Sequence, residues 1–174
     1  MNNSIVNVPT PVNEPIKNYK PNSPEKESVL ATYKTLKDST TDVKMWIGGK
    51  FIESSKTSNM SPPHDHKHIL GKYYLAEKKH VEMAIESALD AKEKWAGMRW
   101  EERAAIFLKA AELVAGPYRD RINAATMLAQ SKTIFQAEID AACELVDFLT
   151  FNVYSMQHIY SCLLYTSDAA DDGV

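Results

Sequence analysis

The sequence predicts a mostly helical fold in which four main helices follow a short β-hairpin. Apolar residues recur at the three-to-four spacing of one helix face from Glu77 onward. Before them, two short apolar runs flank Gly48-Gly49, which is the pattern of a two-residue hairpin turn. Four segments are therefore expected: an extended N-terminal arm with a short helix (1–42), short β-strands and a loop (43–76), a helical layer (77–160) and a tail (161–174).

The arm is predicted to be extended because it contains several prolines, which break long helices and strands. Ser23-Pro24 marks the start of the one short helix, because serine caps a helix and proline fits its first position. This helix is predicted over residues 24–36. The prolines that interrupt the rest of the arm are Pro9, Pro11, Pro15 and Pro21.

Residues 43–76, which follow the arm, are predicted to form two strands, a loop and a third strand. Residues 44–47 and 50–52 flank the glycine turn, and residues 54–68 are polar and contain Pro62-Pro63. Residues 69–75 can form one more strand, with a break at Gly71.

The four main helices are predicted over residues 77–96, 100–115, 118–130 and 134–160. The fourth would be about 40 Å long at a rise of roughly 1.5 Å per residue. The inward faces predicted for the first three are Val81, Ala84, Ile85, Ala88, Ala91, Lys92 and Trp95; Ala104, Phe107, Leu108, Ala111 and Val114; and Ile122, Ala125, Thr126 and Ala129.

Composition excludes several classes of protein. The formal net charge is −3 and basic residues are scattered among acidic ones, which argues against a nucleic-acid-binding face. No apolar run reaches the length of about 18 residues that a membrane span needs, and residues 1–15 lack the layout of a secretory signal. Two cysteines are too few for a disulfide framework, so a cytoplasmic location is expected.

The tail departs from the helical period that precedes it and ends in an acidic stub. Residues 162–171 can be back-translated into a transposon-end adapter used to prepare DNA sequencing libraries. We therefore interpret residues 161–174 as non-native, so that Cys162 has no biological role; the alternative is a natural disordered C-terminus.

Two other groups of residues have a functional and a structural interpretation. His64, His66 and His68 alternate as metal ligands can, but a Pro-flanked solvated loop is the favoured interpretation. Cys143 could be a nucleophile, yet its helical spacing with apolar neighbours favours a buried structural thiol. The chain has no G-x-G-x-x-G, G-x-x-x-x-G-K-[ST] or C-x-x-C motif, so it contains no glycine-rich phosphate loop.

The fourth helix carries the acidic residues Glu138, Asp140, Glu144 and Asp147. The last three share one helix side, because they are four and three residues apart. They form either a solvated face or a cleft in which one carboxylate accepts a cationic group such as a substrate ammonium.

Several strings of residues resemble one enzyme family. Asn13-Glu14-Pro15-Ile16, the segment 100–113, Gln130-Ser131-Lys132-Thr133 and the segment 136–148 are similar to delta-1-pyrroline-5-carboxylate dehydrogenases, within the aldehyde dehydrogenase superfamily. The resemblance covers roughly residues 12–160. It implies the N-terminal, mostly helical part of an α/β aldehyde-dehydrogenase-like fold whose parallel sheet is missing from this chain.

The resemblance also implies a reaction. Such enzymes oxidise L-glutamate gamma-semialdehyde to L-glutamate with NAD, during proline breakdown. The nucleophilic cysteine and the cofactor site of the family lie downstream, so the chain alone is expected to be inactive, to carry no catalytic, cofactor or metal-binding residue, and to leave an apolar face exposed. A homo-oligomer and a proline dehydrogenase partner are implied for the complete enzyme; the alternative is a non-catalytic helical interaction module.

One site residue follows from the resemblance. The family has a glutamate near the α-amino group of its substrate, and the matching residue here is Glu144, within the segment 141–148. A carboxylate that pairs with an ammonium contributes about 1.5–3 kcal/mol. Glu144 is therefore the expected substrate-binding residue.

Overall fold

A computed structural model describes the backbone of residues 7–171, and the side chains of residues 7–162. The mostly helical prediction is confirmed for this part of the chain, as are the four main helices. The elements in chain order are α1 (Pro24–Lys37), β1 (Thr41–Val43), β2 (Met45–Ile47), β3 (Lys50–Ile52), β4 (Thr57–Met60), β5 (Gly71–Tyr74), α2 (Lys78–Gly97), α3 (Trp100–Ala115), α4 (Arg119–Gln130), α5 (Ile134–Ala137), a π-helical segment (Glu138–Cys143) and α6 (Glu144–Asp171).

Local side-chain contacts set the starts of α1 and α5. The Ser23 hydroxyl accepts a hydrogen bond from the Lys26 N–H at 3.4 Å, with Pro24 at the first position of α1. At the start of α5, Thr133 and Gln136 cap each other's backbone N–H groups in a capping box. These starts agree with the predicted ones because both depend on residues within one helical turn.

The glycine turn forms as predicted. Gly48 and Gly49 have φ angles of 59° and 75°, the left-handed conformation that a tight hairpin turn needs. β2 and β3 pair antiparallel around it, with Met45 opposite Ile52.

The prediction of a loop over residues 54–68 is wrong for four of them. Thr57–Met60 forms β4, which pairs antiparallel with β5, and β5 also pairs in parallel with β1. The sequence did not predict β4 because its residues are polar and its partner strand, β5, lies further along the chain. Gly71 permits the junction, because its φ is +149° and a Cβ there would lie 1.9 Å from the Thr41 carbonyl oxygen.

Two small cores hold the helices together, and the N-terminal arm contributes to both. In the first, Val8 of the arm packs with Ala104 of α3 and Val153 of α6. In the second, Tyr19 of the arm packs with residues of α1 and α4. The arm is therefore an integral part of the packing.

The inward face predicted for α4 is wrong. Hydrophobicity selected the face of Ile122, Ala125, Thr126 and Ala129, but this helix is rotated so that it buries polar groups as well as apolar ones. Arginine and asparagine are buried here because groups of the arm and the π-helical segment accept hydrogen bonds from the Arg119 guanidinium and from Asn123 Nδ2. The buried residues of α4 are Arg119, Asn123, Ala124 and Leu128.

The apolar face predicted for α2 is present, but it is exposed within the described residues. Val81, Ile85 and Trp95 expose 53%, 54% and 40% of their surface. No helix within residues 7–171 combines the length and the hydropathy that crossing a membrane requires.

The fourth predicted helix differs from expectation in two ways. It begins at Ile134 as predicted, but the π-helical segment Glu138–Cys143 interrupts its α-helical hydrogen bonding. Its backbone then continues as α6 to Asp171, whereas the prediction ended it near Tyr160. The expected change of structure at residue 161 is therefore absent from the backbone, and the non-native origin of the tail stays a prediction.

Candidate functional site

The N-terminal arm (residues 7–20) runs antiparallel to the fourth helix. The Val8 N–H donates to the Gln157 side chain, and the Lys17 N–H donates to Glu138 Oε1 at 2.8 Å. Nine extended residues at about 3.3 Å each span about 30 Å. Nineteen helical residues at about 1.5 Å each span nearly the same length. The arm and the helix therefore remain in register over this whole distance.

A groove lies where the arm crosses the start of α6. Its volume is about 380 Å³. Phe148 forms part of its wall and exposes 62% of its surface, so the groove offers both an aromatic surface and acidic groups. Its lining residues are Asn13, Glu144, Asp147, Phe148, Phe151 and Asn152. We call it the Glu144 groove.

The two carboxylates of the groove are engaged differently. Asp147 Oδ2 accepts from Asn13 Nδ2 and Asp147 Oδ1 accepts from the Glu14 N–H, both at 2.7 Å. Glu144 is exposed, and within the described residues its side chain has neither a hydrogen bond nor an ion pair. Glu144 is therefore the carboxylate available to a ligand.

The remaining acidic residues of this helix do not reach the groove. Asp140 shares the predicted side, but it pairs with Lys132 Nζ at 2.6 Å. Glu138 has no exposed surface at all. The acidic side predicted from spacing thus separates into one paired surface residue, Asp140, and two groove residues, Glu144 and Asp147, while Glu138 is buried elsewhere.

Glu138 is the centre of a buried ion-pair cluster. It accepts from Arg119 Nε at 3.2 Å through both of its oxygens, and from Arg119 Nη2. Tyr19 Oη donates to Glu138 Oε2 at 2.7 Å, and Asn123 Nδ2 donates to the same oxygen at 2.8 Å. With the Lys17 N–H, these donors join the arm, α4 and the π-helical segment through one carboxylate.

The charges of this cluster stabilise one another. Burial alone would raise the pKa of Glu138, but Arg119, the Lys17 N–H, Tyr19 and Asn123 outweigh it and lower the pKa to about 2. Burial and the neighbouring Glu138 raise the pKa of Tyr19. Glu138 is therefore ionised and Tyr19 neutral at neutral pH.

Sequence reasoning did not find this cluster. It named Glu138 only as one of four acidic residues of the fourth helix, and Arg119 lay outside the inward face predicted for α4. The signal that could have revealed the cluster is the four-residue spacing of Arg119 and Asn123, which puts two hydrogen-bonding residues on one side of α4.

Cys143 is buried, as the favoured interpretation predicted. Its Sγ lies 3.4 Å from Arg119 Nη2 and 3.8 Å from Glu138 Oε1. Burial and the charge of Glu138 raise the pKa of this thiol to about 11. A nucleophilic cysteine needs the opposite shift, so the position suits a structural thiol.

Two of the three loop histidines, His64 and His68, bond to protein groups. His64 Nδ1 lies 2.7 Å from Ser131 Oγ, and His68 Nε2 lies 2.8 Å from the Lys37 carbonyl oxygen. Over the part of the chain that the structure describes, no group of three His, Cys, Asp or Glu side chains could hold a metal ion.

Comparison with known proteins defines the class of this chain. Residues 51–171 match the model of the aldehyde dehydrogenase family. The chain belongs to this family.

Several proteins similar to this chain carry the name of one enzyme within the family. The delta-1-pyrroline-5-carboxylate dehydrogenase of Agaricus bisporus is 40% identical over 88% of this chain, and the mitochondrial enzyme of that name from Homo sapiens is 39% identical over 80%. A crystal structure of the delta-pyrroline-5-carboxylate dehydrogenase from Mycobacterium tuberculosis bound with NAD and cobalamin matches 91% of the chain, with a TM-score of 0.89 and 42% identity.

The chain spans only a fraction of these proteins. It covers 28% of the Agaricus bisporus protein, 25% of the human protein and 30% of the Mycobacterium tuberculosis chain. The likeness therefore applies to the helical layer, the arm and the small sheets described above.

Proposed function

We propose that this chain is the N-terminal part of an NAD-dependent dehydrogenase that oxidises L-glutamate gamma-semialdehyde, formed from pyrroline-5-carboxylate, to L-glutamate in proline catabolism. The relatives named delta-1-pyrroline-5-carboxylate dehydrogenase support this reaction. The chain supplies the Glu144 groove, which would select an aldehyde that also carries an amino group.

The observation that carries the proposal is the carboxylate of Glu144, which has no partner among the residues that the structure describes, beside the exposed ring of Phe148. A substrate ammonium would gain a charge-assisted contact with Glu144. The methylene groups of an amino-acid aldehyde would lie against the aromatic wall. A plain aldehyde could use only the wall, so Glu144 would supply the discrimination.

This chain has no glycine-rich phosphate loop, and its buried cysteine, Cys143, has a raised pKa. A related structure holds NAD. We therefore propose that the NAD site and the catalytic cysteine belong to a portion outside these 174 residues, and that the chain alone does not oxidise aldehydes.

We further propose a cytoplasmic homo-oligomer with a proline dehydrogenase partner. The cysteine content supports the cytoplasm. A structure of proline utilization A from Bdellovibrio bacteriovorus matches 88% of the chain, with a TM-score of 0.81 and 25% identity, which supports the partner.

A second candidate function is a non-catalytic helical interaction module. The exposed apolar face of α2 favours it, because such a face can bind another protein. The genomic locus discriminates between the two. A reading frame that continues past Tyr160 into a sheet, a cofactor domain and a cysteine nucleophile supports the enzyme, and a natural stop codon there supports the module.

The enzymatic proposal can be tested in a chimera. Residues 7–160 of this chain would replace the matching segment of the Mycobacterium tuberculosis enzyme, and Glu144→Gln would then be introduced. Loss of a charge-assisted contact is expected to raise KM for L-glutamate gamma-semialdehyde about ten- to a hundredfold. KM for an aliphatic aldehyde without an amino group should stay unchanged.

The matched control is Asp140→Asn, which removes a carboxylate on the same helix that is paired with Lys132 outside the groove. It should leave both KM values unchanged. Equal losses on the two aldehydes after Glu144→Gln would contradict the assignment of Glu144. NADH formation by the 174-residue chain alone would contradict the proposal that the catalytic groups lie elsewhere.

A further inference from the structure

The Glu144 groove has a wall that the fourth helix does not supply. Asn13 comes from the N-terminal arm, whereas the other lining residues all belong to α6. The Asn13 side chain is at the same time bonded to Asp147, the second carboxylate of the groove. One arm residue therefore both lines the groove and controls its second acidic group.

We propose that Asn13 is a positioning residue that fixes the specificity of the groove. It holds Asp147 against the arm, so that a substrate ammonium binds at Glu144 alone. This inference rests on the proposed function of Glu144 and adds a role for the arm in substrate selection.

The proposal follows from the competition between two carboxylates one helical turn apart. Glu144 and Asp147 lie three residues apart, so their side chains are neighbours that repel each other and attract the same cation. Donors from Asn13 and the Glu14 backbone occupy one oxygen of Asp147 each, at 2.7 Å. Without the Asn13 amide, Asp147 Oδ2 would be free to turn toward Glu144, and its repulsion would displace the Glu144 carboxylate from the position in which it binds the ammonium.

The arm is anchored independently of Asn13. Its first described residues bond to Gln157, and Lys17 and Tyr19 bond to the buried Glu138. Asn13 itself is exposed and lies between these anchors. Replacing its side chain should therefore leave the arm in place and change only the groove.

The test uses two substitutions of Asn13 in the active chimera. Asn13→Ala removes the donor, and Asn13→Asp places a second carboxylate against Asp147. Both should raise KM for L-glutamate gamma-semialdehyde, by about tenfold for Asn13→Ala and by more for Asn13→Asp, since the latter adds repulsion. The value of kcat should stay within about twofold, and KM for the plain aliphatic aldehyde should not change.

Rescue distinguishes positioning from a general structural effect. In the double variant Asn13→Asp with Asp147→Asn, the amide on the helix donates to the carboxylate on the arm, and its oxygen can still accept from the Glu14 N–H. KM should return to within about twofold of the parent value. A double variant as impaired as Asn13→Asp alone would overturn the proposal.

Asn7→Ala is the matched control on the same arm. It removes a hydrogen bond of 3.0 Å between Asn7 and Gln157, ten residues or about 15 Å along the helix from Asp147. It should change neither KM for L-glutamate gamma-semialdehyde nor KM for the plain aliphatic aldehyde. If Asn7→Ala raises KM as much as Asn13→Ala, the effect comes from loosening the arm and the proposal is wrong.

The outcomes also separate this inference from the proposed function. If Glu144→Gln discriminates between the aldehydes but the Asn13 variants do not, the role of Asn13 is wrong and that of Glu144 stands. If Glu144→Gln does not discriminate, both fail.

Hydrogen exchange of the Glu14 N–H in the 174-residue chain supplies a test without catalysis. This amide should exchange at least about tenfold more slowly than in Asp147→Ala, because Asp147 accepts its hydrogen bond. Equal rates in the two chains would show that Asp147 is not held by the arm, and the proposal would fall.

Discussion

The buried ion-pair cluster makes a quantitative prediction for Glu138→Gln. Glutamine keeps the volume of the side chain but removes the charge that Arg119 faces. The pKa of Glu138 is lowered from 4.5 to about 2 in the folded chain. That difference corresponds to about 3 kcal/mol of stabilisation at pH 7. Removal of one partner from a buried pair typically costs roughly 3–5 kcal/mol, which agrees.

The pH dependence has a definite sign. A lowered carboxyl pKa stabilises the fold fully above the unfolded-state value of 4.5, and the stabilisation is lost as the pH falls toward 2. At pH 3 about 1 kcal/mol remains. The difference in stability between the parent chain and Glu138→Gln should therefore shrink to about a third between pH 7 and pH 3.

Urea denaturation followed by far-UV circular dichroism measures both values. With a slope of about 2 kcal/mol/M, the midpoint of Glu138→Gln should lie about 1.5 M below that of the parent chain at pH 7, and about 0.5 M below it at pH 3. If the chain has less than about 3 kcal/mol to lose, the variant should lack the helical signal at pH 7 without urea.

Asp140→Asn is the matched control, since Asp140 lies two residues further along the same π-helical segment but on the surface. Its exposed pair with Lys132 should contribute less than about 1 kcal/mol. Midpoint changes of equal size for the two variants would refute the reasoning. So would a Glu138→Gln effect that is the same at pH 3 and pH 7.

Two further predictions concern Gly71 and Cys143. Gly71→Ala should lower stability by more than about 2 kcal/mol in the same urea assay, because the new Cβ would collide with the Thr41 carbonyl at a φ of +149°. The control is Gly49→Ala, whose Cβ meets open space and which should cost only about 1 kcal/mol. Equal costs for the two variants would count against the collision. Cys143 should resist alkylation by iodoacetamide at pH 8 and react in 8 M urea, since burial raises the pKa of its thiol to about 11. Peptide mass spectrometry reads this residue separately, and rapid labelling of the native chain would contradict its burial.

Features that depend on a few neighbouring residues could be predicted from the sequence. Ser23-Pro24 set the start of α1, Thr133 preceded the start of α5, and Gly48-Gly49 formed the hairpin turn. Each of these rests on hydrogen bonds or backbone angles within one turn of chain. Distant residues do not change them.

Features that depend on distant partners could not be predicted from local pattern. The strand β4 is polar and acquires its structure by pairing with β5. The buried face of α4 includes Arg119 because Glu138 and the arm neutralise and bond it. A hydrophobic pattern cannot reveal a face whose burial depends on matched polar groups elsewhere in the chain.

The candidate site shows the same division. Glu144 was assigned through resemblance to a family, and its spacing placed it on one side with Asp147. The contribution of Asn13 was not predicted, because the contact joins residues that are 134 positions apart. Only the folded structure reveals that the described part of the arm forms hydrogen bonds with Asp147 and none with the Glu144 side chain.

The antiparallel run of arm and helix also has a consequence for biosynthesis. The Val8 backbone and the Gln157 side chain are 149 positions apart, so at about 5–20 residues per second a ribosome adds the second roughly 7–30 seconds after the first. Throughout that interval the nascent N-terminus lacks the part of α6 that carries its partner Gln157. Its polar, proline-rich composition suits this delay, because such a segment stays hydrated and cannot join a neighbouring nascent chain as a regular strand.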